Sequence, residues 1–432
     1  MEERHRVLVI SHGHPEINPG GGERAAYDLF RELKSRPGVH AMFLARHDGG
    51  GQNAAVFSQF SPDGSEVLMN SECEFFRFSQ RDVQLVCRDF RGLLEWYRPT
   101  VVHLHHFVHL GLEVIREIKN YSPSVPIVLT LHEYLGICNN NGQMIRTRGD
   151  ELCRRATPGA CHRCFPDVSP QNFFLRELFI KSFFSLVDAF VSPSQFLIDR
   201  YVAWGLPREK FVLIENGQPA LEPAPARPLG SSGTRGRFAF FGQIQRYKGL
   251  QVLLEAMTLL PKALRGGLDG ISLDVHGAHL AWQSAEYQSA VHKKLERTRQ
   301  YVRMHGGYDH ADVASLMSGV DWVVVPSIWW ENSPLVIQEA FAHGRPVICS
   351  DIGGMVEKVR HGENGLHFRV GNAQHLAERL VEAATTPALW DRLRAGIRPG
   401  SRIRDTVDKH LEIYDGFSPY HRVPVTPSLR VV

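Results

Sequence analysis

No run in these 432 residues approaches the roughly 18 consecutive apolar residues of a membrane-spanning helix. The opening MEERHRVLVISHGHP has four apolar residues in a row, too few for a signal peptide, so the expected location is cytoplasmic. An excess of one charge is lacking too. Lys plus Arg number 49 against 46 Asp plus Glu, a net +3, which argues against a dedicated nucleic-acid binder. Cysteine is sparse, at seven. In a reducing compartment clustered cysteines point to metal and scattered ones to core packing. The G-x-G-x-x-G fingerprint is absent, which counts against a nicotinamide enzyme. No DXD-like motif stands out, so no catalytic metal is expected.

What is present is a soluble, globular composition, 43% hydrophobic and 22% charged. The length is too great for one ordinary core. Short apolar runs alternate with longer amphipathic ones. The first set of strand candidates covers 6–10, 101–106, 126–132, 189–194 and 210–217. The second covers 237–242, 271–277, 301–306, 321–327 and 346–351. Such alternation predicts parallel sheets with right-handed crossovers. A stretch rich in Pro, Gly and Ser, 218–236, separates the sets and predicts a linker. The expected fold class is α/β, two Rossmann-like domains facing across a cleft. Residues 1–217 form the acceptor-side domain and 237–395 the nucleotide-sugar domain. The 396–432 segment is expected to cross back onto the first. Ligands in such sheets bind beyond the carboxyl ends of the strands.

Four motifs fall just past strand ends. In PSIWWENSPLVIQEAFA, Ser333 is expected to cap a helix that starts at Pro334, leaving the Leu335 and Val336 N–H groups as an anion site. Glu331 precedes that helix and Glu339 lies about 7.5 Å along it from Pro334 at the standard rise. Two carboxylates flanking a phosphate site suit hydroxyls on either side of it, as in a nucleotide diphosphate sugar. The plainer alternative is a helix-dipole carboxylate and a solvated one. In FFGQIQRYKGL, Lys248 opens a helix where it can reach phosphate, though surface lysines are common there. Gly20, Gly21 and Gly22 let backbone approach a ligand at a helix start, or simply turn the chain. His132 ends a strand, placed to bond a sugar or to sit satisfied in the core.

Together the triple glycine, His132-Glu133, G-x5-KG and ENSPLVIQEA with its following RPVI and IGG resemble retaining family 4 glycosyltransferases of the GT-B fold. The resemblance covers residues 6 to about 390. It implies that Glu331 contacts the donor sugar, Glu339 the ribose, and Lys248 with the Leu335 and Val336 amides the diphosphate. It places His132 beside the sugar, with Glu331, His132 and Lys248 carrying catalysis. Gly21 and Gly22 line the same site. The family commonly has arginine where this chain has Gln243, and Arg246 is expected to replace that charge. The implied reaction moves a sugar from a nucleotide diphosphate sugar, UDP before GDP, to a small-molecule, glycan or lipid-linked acceptor. The alternatives are a GT-B epimerase or phosphorylase, or a catalytically lapsed interaction protein.

Cys138, Cys153, Cys161 and Cys164 lie within an insert, 136–170, at a spacing that suits a structural zinc, with free thiols or an oxidised pair as alternatives. The histidines of VVHLHHFVHL alternate in direction and read as structural or cleft-lining rather than as a metal group. QNFFLRELFIKSFFSLVDAF predicts an amphipathic helix, packed under the first sheet or touching a membrane surface.

Overall fold

The computed structural model describes residues 4–18, 20–47, 55–219, 223–229, 233–266, 270–398 and 400–417. Parts of the expected linker (220–222 and 230–232) and of the C-terminal segment (399 and 418–432) lie outside the described residues.

Two sheets carry the chain. The first contains β1 (His5–Ser11), β2 (Val39–His47), β3 (Phe57–Gln59) and β4 (Glu66–Asn70). After a short ribbon, β5 (Cys73–Glu74) with β6 (Ser79–Gln80), it continues with β7 (Val101–Leu104), β8 (Ile127–Thr130), β9 (Ala189–Ser192) and β10 (Phe211–Leu213). Its order is β10-β9-β8-β7-β1-β2-β4-β3, parallel except for β3. The second contains β11 (Arg237–Phe241), β12 (Ser272–His276), β13 (Val302–Gly306), β14 (Trp322–Val325), β15 (Val347–Ser350) and β16 (Gly365–Phe368). Its order is β13-β12-β11-β14-β15-β16, all parallel. Central strands covered on both faces read as unbroken apolar runs: all four residues of β7, β8, β9, β14 and β15 are buried. Helices show the complementary period. Gly21–Lys34 buries Ala25, Ala26, Leu29, Phe30 and Leu33, one stripe against the first sheet.

In each sheet the strand order reverses once, between β1 and β7 and between β11 and β14. A crevice opens at the carboxyl ends of strands flanking such a switch point. The loops after β1, β7 and β8 therefore approach those after β11 and β14.

The two halves also touch directly. Phe196 packs on Trp330 with ring centroids 5.0 Å apart. The Glu357 carboxylate accepts from the Gln195 and Phe196 N–H groups at 2.9 and 2.6 Å, capping a helix of the other half. A last helix, Ile403–Gly416, returns to the first sheet. It buries Val407, Leu411 and Tyr414 among Val7, Val9, Leu29 and Phe30. Asp415 accepts from His5 at 2.8 Å.

The helix Pro170–Phe184 buries Phe173, Ile180, Phe183 and Phe184 and leaves Phe174, Leu175 and Leu178 about half exposed. Its Arg176 is also buried, donating to the Leu135 and Gly136 carbonyls at 2.7 and 3.0 Å. Among the described residues no helix is long and apolar enough to cross a membrane.

Candidate active site

Lys248 and Glu331 leave the strands that flank the second switch point, β11 and β14, and meet across it. Lys248 Nζ donates to Glu331 Oε1 at 2.6 Å, and Ser327 Oγ donates to the same oxygen at 2.7 Å. Two devices bring the loops together. Gly249 has φ +75°, and a Cβ there would lie 1.9 Å from the Pro326 carbonyl oxygen, so only glycine fits. Gly354 likewise sits where a Cβ would meet Asn332 O at 1.6 Å, and its N–H holds Glu331 O at 2.7 Å. Glu331 is buried, and its Oε1 is fully used; Oε2 keeps its lone pairs for a hydroxyl. An ammonium has three donors, so Lys248 retains two for phosphate oxygens.

The helix after Glu331 spans Leu335–Ala342. Its first internal bond is Ile337 N–H to Pro334 O at 3.1 Å, which leaves the Leu335 and Val336 N–H groups at the helix start. The Ser333 cap is corrected. Pro334 holds the cap position at φ −58°, ψ 119°, and no side chain caps the helix. The Ser333 hydroxyl is buried without a hydrogen-bond partner among the described residues. An ideal Cβ on Gly21 would lie 3.6 Å from Leu335 Cδ1, and one on Gly22 3.7 Å from the His132 ring. Two helix N-termini thus converge, one from each half.

Glu339 is buried on that helix, and burial pushes its carboxyl up to about 7 against a weaker opposing pull from Arg24. His132 follows β8, and its backbone carbonyl accepts from Asn332 Nδ2 at 3.0 Å, tying one half to the other. Burial brings the His132 imidazole down to about 4, so it is neutral at pH 7. Its Nε2 lies 3.1 Å from His105 Nδ1.

Gln243 and Arg246 behave differently from expectation. The Gln243 side-chain oxygen accepts from Gln245 at 2.9 Å. Arg246 is ion-paired with Asp150 of the insert, and its side chain is 58% exposed. Its charge is already matched by a partner 96 positions away.

Sequence reasoning missed two carboxylate–imidazole pairs on the first half. His12, just past β1, bonds Glu23 at 3.0 Å, and His106, just past β7, bonds Glu133 at 2.7 Å. The His12 and His106 rings lie 4.1 Å apart. Burial alone would raise the Glu133 carboxyl, but His106, with His12 and His132 nearby, brings it down to about 2. The signal was there in SHGHP and HLHHF, each just beyond a strand. The pairs can accept and donate to hydroxyl groups and hold a proton. Of the histidines in VVHLHHFVHL, His103, His105 and His106 are buried in separate bonds.

The four clustered cysteines line one small cavity with Asn140 and Phe165. Burial pushes the Cys138 thiol up to about 11 and Cys161, with neighbouring thiols adding to the effect, up to about 12. As the side chains stand, no group of three or more His, Cys, Asp or Glu among the described residues is arranged to hold a metal ion.

Two family models match: Glycosyltransferase Family 4 over residues 19–218, and Glycosyl transferases group 1 over residues 226–398. D-inositol 3-phosphate glycosyltransferase of Arthrobacter sp. is 28% identical over 214 residues, 48% of this chain and 50% of the relative. Glycogen synthase of Mycobacterium tuberculosis is 30% identical over 153 residues, 35% of each chain. The chain thus spans about half or less of the length of these curated relatives. Among solved structures, Anabaena HepE in complex with UDP and glucose superposes with TM-score 0.65 at 17% identity, covering 95% of this chain and all of that one. Sucrose-phosphate synthase from Thermosynechococcus elongatus gives TM-score 0.67 at 18% identity, covering 95% and 98%. Both share the two-domain GT-B fold.

Proposed function

The chain belongs to the family 4 glycosyltransferases, and from that premise we propose that it moves a sugar from a nucleotide diphosphate sugar to an acceptor hydroxyl with retention of configuration. The observation that carries the proposal is the bridge from Lys248 to Glu331 across the switch point, next to two converging helix N-termini.

In this reading the diphosphate lies between Lys248 and the Leu335 and Val336 amides, beside Gly21 and Gly22. The bond from the anomeric carbon to the phosphate oxygen breaks, and negative charge grows on the leaving diphosphate. Fixed donors aimed at that charge lower the barrier because they need no reorganisation when it forms. The acceptor oxygen bonds to the anomeric carbon on the face the diphosphate leaves. The acceptor's proton passes to the departing phosphate. Glu331 Oε2 and His132 hold sugar hydroxyls, and Glu339 holds the ribose. The pairs His12–Glu23 and His106–Glu133 line the acceptor side.

The donor is a UDP-sugar before a GDP-sugar, a choice supported by the UDP in the HepE structure. The acceptor is a polyol or a lipid-linked glycan, in keeping with the inositol-based relatives named above and with Phosphatidyl-myo-inositol mannosyltransferase of Mycobacterium leprae, 32% identical over 93 residues. The half-exposed Phe174, Leu175 and Leu178 suit peripheral contact with a membrane that presents such an acceptor.

The test is NMR of the anomeric centre during turnover of UDP- and GDP-hexoses in chelator. Retained configuration without added divalent metal is expected. An inverted product, or strict dependence on added magnesium or manganese, would overturn the proposal. One observation favours a second reading, a lapsed transferase. Neither Gln243 nor the Asp150-paired Arg246 offers the diphosphate an unmatched cation. Binding of nucleotide without any turnover would favour it.

A further inference from the structure

Glu331 and His132, the two side chains read as meeting the donor sugar, come from opposite halves of the chain. Their separation therefore depends on how the halves are joined. Glu331 is held within its own half. Its Oε1 accepts from Lys248 and Ser327 at 2.6 and 2.7 Å, and its backbone oxygen accepts from the Gly354 N–H at 2.7 Å. The backbone of the next residue, Asn332, is held there too. Its carbonyl packs so closely on Gly354 that a Cβ at that glycine would lie 1.6 Å from the oxygen.

The Asn332 side chain, by contrast, is bonded to the first half. It is buried, 6% exposed, and reaches the loops that follow β8 and β9, neighbouring strands of the first sheet. Its Nδ2 donates to the His132 carbonyl at 3.0 Å, and its Oδ1 accepts from Ser194 Oγ. These partners set the orientation of the amide. A backbone carbonyl only accepts, so Nδ2 must face His132. Oδ1 then faces the buried Ser194, whose hydroxyl donates to it and accepts from the Leu197 N–H at 3.2 Å, capping the helix Gln195–Trp204. The path from Glu331 to His132 is thus one peptide unit and one side-chain amide. The contacts that Trp330 and Glu357 make across the halves go to the Gln195–Trp204 helix rather than to the loop of His132.

We propose that Asn332 is a positioning residue that holds the two halves in register and so sets the distance between Glu331 and His132. The proposal rests on the reading that both residues bind the donor sugar. Where reacting groups are preorganised, a displacement of about 1 Å costs about a hundredfold in rate. Asn332→Asp keeps the shape of the side chain, but its ionised oxygen stands against the His132 carbonyl with no hydrogen between them.

The test uses the full chain. Asn332→Asp should lose more than about tenfold in kcat with the Kd for bare UDP within about threefold of wild type, the split expected of a residue that places the sugar and not the nucleotide. Hydrogen exchange gives a readout without turnover. The Gln195 and Phe196 N–H groups, next to Ser194, bond Glu357 across the halves at 2.9 and 2.6 Å. In Asn332→Asp they should exchange at least about fivefold faster, while the N–H groups of β14, inside the second half, keep their wild-type rates. Should Asn332→Asp not fold, Asn332→Ala removes both bonds without adding a charge and is read in the same way. A smaller loss in kcat, a larger loss in UDP affinity, unchanged exchange at Gln195 and Phe196, or exchange raised equally in β14 overturns the proposal. If the wild type transfers no sugar, the function falls, and the exchange pattern alone decides whether Asn332 holds the halves in register.

Discussion

Lowering the pH from 8 to 6 should weaken nucleoside diphosphate binding about tenfold through one residue, Glu339. Burial holds this carboxyl near 7 in the free protein. Ribose hydroxyls donate to an ionised carboxylate, so the nucleotide selects the charged form. With a value near 7, about one molecule in ten is ionised at pH 6 and about nine in ten at pH 8. The ratio corresponds to about 1.4 kcal/mol in binding free energy. Arg24 from the first helix and Tyr308 from the loop after β13 face Glu339, and burial pushes the Tyr308 hydroxyl up, away from this window. His132, near 4, is also outside the window. Calorimetry with UDP on wild type and Glu339→Gln isolates the effect, since the ligand's own phosphate titration is common to both. Stability carries the opposite sign. The folded pKa is raised, so the contribution of the neutral form is complete below about 4.5 and is lost as pH rises to about 7. Glu339→Gln should therefore raise Tm more at pH 8 than at pH 5. If the two proteins show the same pH 6 to pH 8 ratio in Kd, the carboxylate does not bind the ribose.

Three further outcomes are expected. Glu331→Ala should lower kcat at least a hundredfold while changing the Kd for bare UDP less than Glu339→Ala does; equal losses of UDP affinity in the two variants would refute the division of the donor between them. Arg246→Ala should weaken UDP binding by less than about 1 kcal/mol, because its charge is already matched by a partly exposed carboxylate, whereas Gln243→Arg should tighten it. Calorimetry giving the reverse order would restore Arg246 as the phosphate cation. We keep one structural zinc in the cysteine cavity as a proposal that requires the thiols to draw together and lose their protons. Metal analysis of protein purified without added zinc should find about one equivalent, lost in a Cys161→Ser, Cys164→Ser double variant, and metal-free, fully active wild type would exclude it.

The ten strands expected from short apolar runs all form, because buried parallel strands leave that mark in any single sequence. β2, β3, β4, β5, β6 and β16 were missed. β16 is only GLHF, and EVLMN in β4 mixes polar ends with a short apolar centre. The positions of Lys248, Glu331 and His132 were legible because a ligand site beyond strand ends is a rule of topology. What each one bonds was not. Arg246 pairs with a residue of the insert, Asn332 ties to the His132 backbone, and no local pattern reports partners so far apart. Ser333 was misread because serine before proline suits a cap, while the turn here leaves that position to Pro334.

The returning helix Ile403–Gly416 also decides when the first half can be finished. It covers Val7, Val9, Leu29 and Phe30, and Asp415 reaches His5 from 410 positions away. About 200 residues separate the last strand of the first sheet, β10, from the end of that helix. At about 5–20 residues per second, a ribosome takes some 10–40 s to make them. Throughout that interval the emerging first sheet has a bare apolar flank, and His103 lacks the Tyr414 hydroxyl that lies 2.7 Å from its Nδ1 in the finished fold. The second half must be synthesised, and most of it can fold, before the first is complete. Order of synthesis and order of completion are therefore reversed in this chain.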